Sequence, residues 1–406
     1  MLKLTLPTDL VVNIDPSSGI HFTYGEYMVI HCGPYNYYFD DASRVFLKDP
    51  RILSDISEAV WFNFFEHFKK AHHMDRKDFA KAAVKIFEVL GYGMLNLEFI
   101  AGETRLLLKN SAFALTHRLI SGGINSPRPI CQYSEGYIRA FMEHVLKKER
   151  NKIDVIESRC MAMGDKHCEF DFKAGNVNRH IFESPGNKLD LFNLPSEKLR
   201  PFLQNFDKLM PQPRNGLLFY PSIYEEFKTL YVTYMLANYY GMAFYEAMKV
   251  ARENDNEQAL RHLYALAAVI CIVSTFGSFA STPIFKRLIY PHASNPLEAM
   301  FFLLNLAGMG RWELVSYDGS RMAYNVYNFY ELNYQYQVGE DNPLSPFVEG
   351  AGMAVRFIVE NMLDGIMMGE KFSYTEVLST FASSMPYEVK LFEPIEETNS
   401  VHVVIE

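Results

Sequence analysis

Five cysteines in 406 residues, Cys32, Cys131, Cys160, Cys168 and Cys271, are too few and too unevenly placed for the disulfide framework of a secreted chain. A reducing compartment is expected, and with it a cytoplasmic location. An excess of positive charge is missing as well: 39 Lys and Arg stand against 48 Asp and Glu, a formal net charge of −9. That disfavours binding built on neutralising many phosphates, so nucleic acid is not expected as a partner. There is no phosphate loop of the form G-x4-G-K-[ST] and no G-x-G-x-x-G at a strand-to-helix turn. The run GSFAS around Gly277 and Ser278 lacks the spacing of a nucleophile elbow, and no Ser, His and acid are arranged recognisably. No catalytic residue is assigned, and an enzyme is the less expected outcome. The opening MLKLTLPTDLVVNID carries a proline and two aspartates before any apolar core of signal length, so no export signal is read. Leu263 to Phe285 is free of charge and long enough to span a bilayer. Its second half is crowded with Ser274, Thr275, Gly277, Ser278, Ser281 and Thr282, so a buried or subunit-facing helix is expected and stable membrane insertion is not.

What is present is ample core material, 49% hydrophobic and 15% aromatic, enough for two domains. Strand formers such as Tyr27, Val29, Ile30, Tyr37, Tyr38 and Phe39 open the chain. Helical spacing follows over Ile52 to Phe68 and over Asp78 to Leu90, the second ended by Gly91. Gly93 to Ile100 and Thr104 to Leu108 predict a hairpin turning at Ala101-Gly102-Glu103. Tyr133 to Lys148 predicts a helix, and strands are expected near Val155 to Ala162 and Cys168 to Phe172. Prolines then break the pattern up to about Gly216.

Beyond that break the order recurs. FEVLGYGMLNLEFIAGETRLLL is answered by LLNLAGMGRWELVSYDGSRMAY, so that Gly91 and Gly93 correspond to Gly308 and Gly310. YSEGYIRAFMEHVL is answered by FVEGAGMAVRFIVENML, with Glu135-Gly136 against Glu349-Gly350, and last strands are expected near Ser379 and Val389. The pattern implies an α+β fold in tandem, each unit a mostly antiparallel sheet covered by helices: residues 1–175, a linker over 176–215, and residues 216–406.

The chemistry concentrates between Cys131 and Cys168. In IESRCMAMGDKHCEFDF, Cys160 and Cys168 flank the turn dipeptide Gly164-Asp165 and should face each other, close enough for two thiolates to share a tetrahedral zinc ion. Cys131 can bring a third sulfur, and Glu157 is the nearest acidic candidate for the fourth position. Residues three apart in an unbroken strand point to opposite faces, so Glu157 and Cys160 can share a metal only across a bulge or bend. His167 is a reserve ligand. Buried free cysteines or a cross-strand disulfide remain the alternatives. His72 and His73 read as a solvated helix end.

The run from Glu157 through Cys160, Gly164-Asp165 and Cys168 to Phe170 resembles the terminal signature of the 4-vinyl reductase (4VR) domain. Pro129-Ile130-Cys131, Glu135-Gly136-Tyr137 and Ala140-Phe141-Met142 resemble the preceding part of that signature. The same module forms the sensor region of phenol- and xylene-responsive transcription activators and is related in fold to small subunits of the TRAPP vesicle-tethering complex. The resemblance implies a structural zinc on Cys131, Glu157, Cys160 and Cys168. It implies two tandem 4VR/TRAPP-like domains, the second degenerate, because Ser345 stands near the level of Cys131 and Ser379 to Leu391 holds no cysteine. The nucleotide-driven and DNA-binding domains of the activators have no counterpart here. Two functions follow as expectations. One is a binding protein sensing a small hydrophobic or aromatic molecule and signalling through a separate partner; the other is a TRAPP-like scaffold or adaptor acting as a homodimer or with a protein partner.

Overall fold

The computed structural model describes residues 2–6, 10–49, 51–100, 103–186, 191–194, 213–340, 343–384, 387–395 and 398–406. The chain opens on an antiparallel meander of β1 (Leu2–Leu6), β2 (Leu10–Asp15), β3 (Ile20–Thr23) and β4 (Glu26–Cys32). Tyr37, Tyr38 and Phe39, expected among the opening strand formers, lie instead in helix α1 (Gly33–Phe46). Pro34 occupies its first turn, where a missing N–H costs nothing, and the Tyr35 N–H donates to Cys32 Sγ at 3.3 Å as the cap. The buried set Tyr35, Phe39, Ala42 and Phe46 has helical spacing, which outweighs the strand preference of single aromatic residues.

Helices α2 (Ile52–His72) and α3 (Arg76–Val89) follow, then a hairpin of β5 (Met94–Ile100) and β6 (Glu103–Lys109). Ala101 and Gly102 of the expected turn lie outside the described residues. Helix α4 (Ala112–Ile120), absent from the sequence reading, starts at Ser111, whose hydroxyl accepts the Ala114 N–H at 3.3 Å. Helix α5 (Gln132–Leu146) and the antiparallel pair β7 (Ile153–Arg159) and β8 (Cys168–Ala174) complete this half.

The second half runs β9 (Leu218–Pro221), β10 (Thr229–Leu236), α6 (Ala237–Glu253) and α7 (Glu257–Cys271), which continues through a π turn to Ala280. Next come α8 (Pro296–Leu306), β11 (Arg311–Tyr317), β12 (Met322–Tyr327), α9 (Tyr330–Gln337), α10 (Pro346–Asn361), α11 (Leu363–Met368), α12 (Tyr374–Ser384), β13 (Val389–Ile395) and β14 (Ser400–Ile405). Ser379, expected in a strand, is in α12. The helix Glu257–Ala280 is long and apolar enough to cross a membrane by length and composition, and 78% of its most apolar window is buried inside the fold.

The architecture is mixed α and β with antiparallel sheets. Two four-stranded sheets have the same strand order, β5-β6-β8-β7 and β11-β12-β14-β13. A six-stranded sheet, β1-β2-β3-β4-β10-β9, joins the halves. At its centre β4 pairs antiparallel with β10, with Met28 opposite Leu236, Ile30 opposite Tyr234 and Cys32 opposite Val232. Each half closes on the strand of the other. Tyr234 N–H donates to Leu90 O at 3.0 Å, and Ile30 N–H to Ala307 O at 2.8 Å. The next residues, Gly91 and Gly308, have φ of +89° and +79°, and a Cβ there would lie 2.9 Å from Val232 O and 2.7 Å from Met28 O. Both positions therefore require glycine, for conformation and for close approach.

Candidate metal centre

Four buried ligand atoms converge where α5, β7 and β8 meet: the thiols of Cys131, Cys160 and Cys168 and a carboxylate oxygen of Glu157 all lie within 4.8 Å of one another. Cys131 is the residue before α5, Cys160 follows the last residue of β7, and Cys168 is the first residue of β8. The sulfurs are 4.0 Å (Cys131–Cys160), 3.7 Å (Cys131–Cys168) and 3.9 Å (Cys160–Cys168) apart. A disulfide needs about 2.05 Å, so all three are free thiols. A tetrahedral ion with metal–sulfur bonds of about 2.3 Å wants sulfurs about 3.8 Å apart, which is this spacing.

The bulge that the sequence required is present. The β7–β8 register shifts between Glu157, opposite Phe170, and Arg159, opposite Glu169. The extra residue, Ser158, reverses the alternation and lets Glu157 and Cys160 reach one point. Cys160 and Cys168 do converge across the Gly164-Asp165 turn, but not as ladder partners. Cys160 leads into a single 3-10 turn over Met161–Met163, and Cys168 pairs on its other side with Leu108. Asp165 holds the turn by accepting the Cys160 N–H at 3.0 Å, and Gly164, with φ +103°, closes it. His167 is partly exposed and outside the cluster. His72 bonds the Tyr24 hydroxyl at 2.7 Å, and His73 ends α2 in the left-handed conformation; neither joins a ligand group among the described residues.

The set fits a cation and suits nothing else nearby. Burial, and then the neighbouring Cys160, pushes the Glu157 carboxyl well above the usual carboxylate range. Glu157 Oε2 accepts the Cys131 N–H at 2.9 Å, while Oε1 is buried without a hydrogen-bond partner. Such an atom is costly unless an ion or proton meets it. Burial also raises the Cys131 thiol. Cys168 accepts from Cys131 but donates to Cys160, and the balance raises it, whereas Cys160, accepting from both other thiols, is pushed down. The cluster thus holds protons that a divalent ion would displace. Outside it, Glu135 Oε2 accepts the Glu157 N–H at 3.2 Å, and Glu135 Oε1 pairs with Arg139, itself paired with Asp55 at 2.6 Å. The Ser111 hydroxyl lies 3.3 Å from Cys131 Sγ. Ser111 and Asp165 were not foreseen as supports, although Ser111 before an apolar run is a helix-start signal.

The second half has no such cluster among the described residues. Ser345 precedes α10 as Cys131 precedes α5, and its hydroxyl donates to Glu331 Oε2 at 2.8 Å. Burial raises that carboxyl to about 8.

Residues 119–174 match the family model of the 4-vinyl reductase (4VR) domain, and all four ligand residues fall inside the match. Among solved structures the chain is similar to the phenol-responsive sensory domain of the transcription activator PoxR, determined with phenol, at 14% identity and a TM-score of 0.30 over 38% of this chain and 80% of that one. No curated protein matches the chain.

Proposed function

We propose that this chain is a zinc-stabilised cytoplasmic binding protein whose first half senses a small hydrophobic or aromatic molecule and signals through a separate partner. The observation that carries the reading is the coincidence of a 4VR-type segment with a buried three-thiol, one-carboxylate site inside it. Three thiolates and a carboxylate suit zinc, and four protein ligands leave no open position, so the ion would brace the fold and not activate water. Beside the site, Tyr37, Asp40, Arg44, Phe113 and Ile130 surround a space of only about 10 Å³. That is the size of one water, so a ligand entering there would have to move α1 or α4, which is a way for binding to shift a conformational population. The tandem reading, residues 1–175 and 216–406 as an intact and a degenerate 4VR/TRAPP-like copy around a linker at 176–215, is supported by the matched strand orders and the reciprocal contacts of Gly91 and Gly308.

A second reading, a TRAPP-like scaffold or adaptor acting through dimerisation or a protein partner, is supported by the continuous sheet through which the halves already join. Thermal unfolding of the full chain against phenol, toluene and benzoate separates the two. A sensor gains stability with ligand concentration. No shift with any of the three compounds would remove the sensor reading and leave the adaptor.

A further inference from the structure

Gly136 and Gly350 mark like positions in the two halves: a Cβ at Gly136 would lie 2.4 Å from Ser54 O on the facing helix, and one at Gly350 would lie 2.2 Å from Ala265 O. Three residues further along each helix the halves diverge. In the first, Arg139 is 2% exposed and fills the space between α5 and α2, paired with Asp55 at 2.6 Å and Glu135 at 3.3 Å. In the second, that position is Met353, too short and uncharged to do the same. Glu349, the counterpart of Glu135, takes Arg261 of α7 instead, at 2.6 Å.

The consequence is an open groove of about 1010 Å³ between α7, α10 and the start of β13. Met353, Ala265 and Val389 give it an apolar floor, and Asp255, Glu257, Glu349 and Glu388 set four carboxylates around it against the single guanidinium of Arg261. The fold supplies a precedent for what fills such a place. After β8 the chain runs without helix or strand over α2 and α5, and there Arg179 enters a carboxylate cluster, donating to Glu58 at 3.1 Å and Glu143 at 2.9 Å.

The geometry points to the α7–α10 groove as a docking site for a partner polypeptide that inserts an arginine flanked by an apolar side chain. The guanidinium would meet Glu349 and Asp255 where the first half uses its own Arg139, and the apolar neighbour would cover Met353 and Val389. The four carboxylates favour a cation, and the rim charges make the binding salt-dependent.

The test is fluorescence anisotropy on the full chain with a labelled Gly-Leu-Arg-Leu-Gly peptide and its citrulline twin, which keeps the shape and removes the charge. The expected result is saturable binding that falls at least about tenfold with citrulline, weakens as salt is raised, and is lost in Met353→Arg, which supplies the groove with its own guanidinium. Glu388→Lys, an exposed rim change, should weaken binding several-fold and decides the matter should Met353→Arg fail to fold. Equal binding of the arginine and citrulline peptides, or binding untouched by the variants, would overturn the proposal. Spermine displacing the peptide at the peptide's own dissociation constant would reduce the groove to a general cation site and overturn it as well.

Discussion

Ser158 decides whether the metal centre exists, because its bulge is what brings the carboxylate of Glu157 to the side where Cys160 points. Each ligand is then held by something specific: Cys131 by the start of α5, Cys160 by Asp165, Glu157 by the N–H of Cys131 and by Glu135. Cys168→Ser should lose the metal and destabilise the protein by more than about 4 kcal/mol, the size of loss typical of a missing metal site. Cys271→Ser, buried and remote from the cluster, should keep the metal; elemental analysis with thermal unfolding of both variants checks this. Glu26 gives a pH prediction. Burial raises its carboxyl to about 7 against lowering by hydrogen bonds from Ser184, Asn63 and Asn238. A folded-state value above the unfolded one means that its contribution to stability is complete below the unfolded value near 4.5 and is lost as pH rises through about 7. The loss is about 3 kcal/mol across that window, and Glu26→Gln should abolish it in unfolding curves taken at pH 4 and pH 8. The ligand set was legible from the sequence because cysteine and glutamate are rare enough near one turn to be counted. The supports were not, because a serine before a helix or an aspartate in a turn looks the same whether or not a metal lies behind it.

Helices α2 with α5 and α7 with α10 pack closely enough that glycine is obligatory at the crossing. Gly136→Ala would put a Cβ 2.4 Å from Ser54 O and 2.5 Å from Ser57 Cβ, all parts of a facing helix with no room to give. The expected cost is about 2–3 kcal/mol after the usual helical gain of alanine. Gly277→Ala, whose nearest neighbour would be Ile223 Cδ1 at 3.4 Å, should be neutral or stabilising, and denaturant unfolding of the pair tests the contrast. Amphipathic helices and hairpins were readable because their periods are set by which face is buried, as over Ile52–His72. Residues 35–39 and 379 were misread because short aromatic or β-branched runs carry strand preference that a nearby cap, Cys32 with Pro34, overrides.

The whole molecule is organised about the β4–β10 pair, in which each half presents its strand to the other. A chain cut back to residues 1–175 would leave β4 an open edge with Ile30 at its middle, where Tyr234 now sits opposite. Such a fragment should pair with itself and run as a dimer in light scattering; a stable monomer would contradict this account of the seam. The repeat was visible in the sequence through its glycines, but their partners on the opposite half were not, because a backbone contact such as Gly308 with Met28 O leaves no trace in residue type beyond the glycine itself.

The most direct test is the metal content of the full chain, purified without a metal-affinity step and measured by elemental mass spectrometry, with native mass spectrometry of the same sample. The account predicts one zinc per chain, lost in Cys168→Ser. A folded, reduced protein with no metal would contradict it and leave Cys131, Glu157, Cys160 and Cys168 as a protonated part of the core.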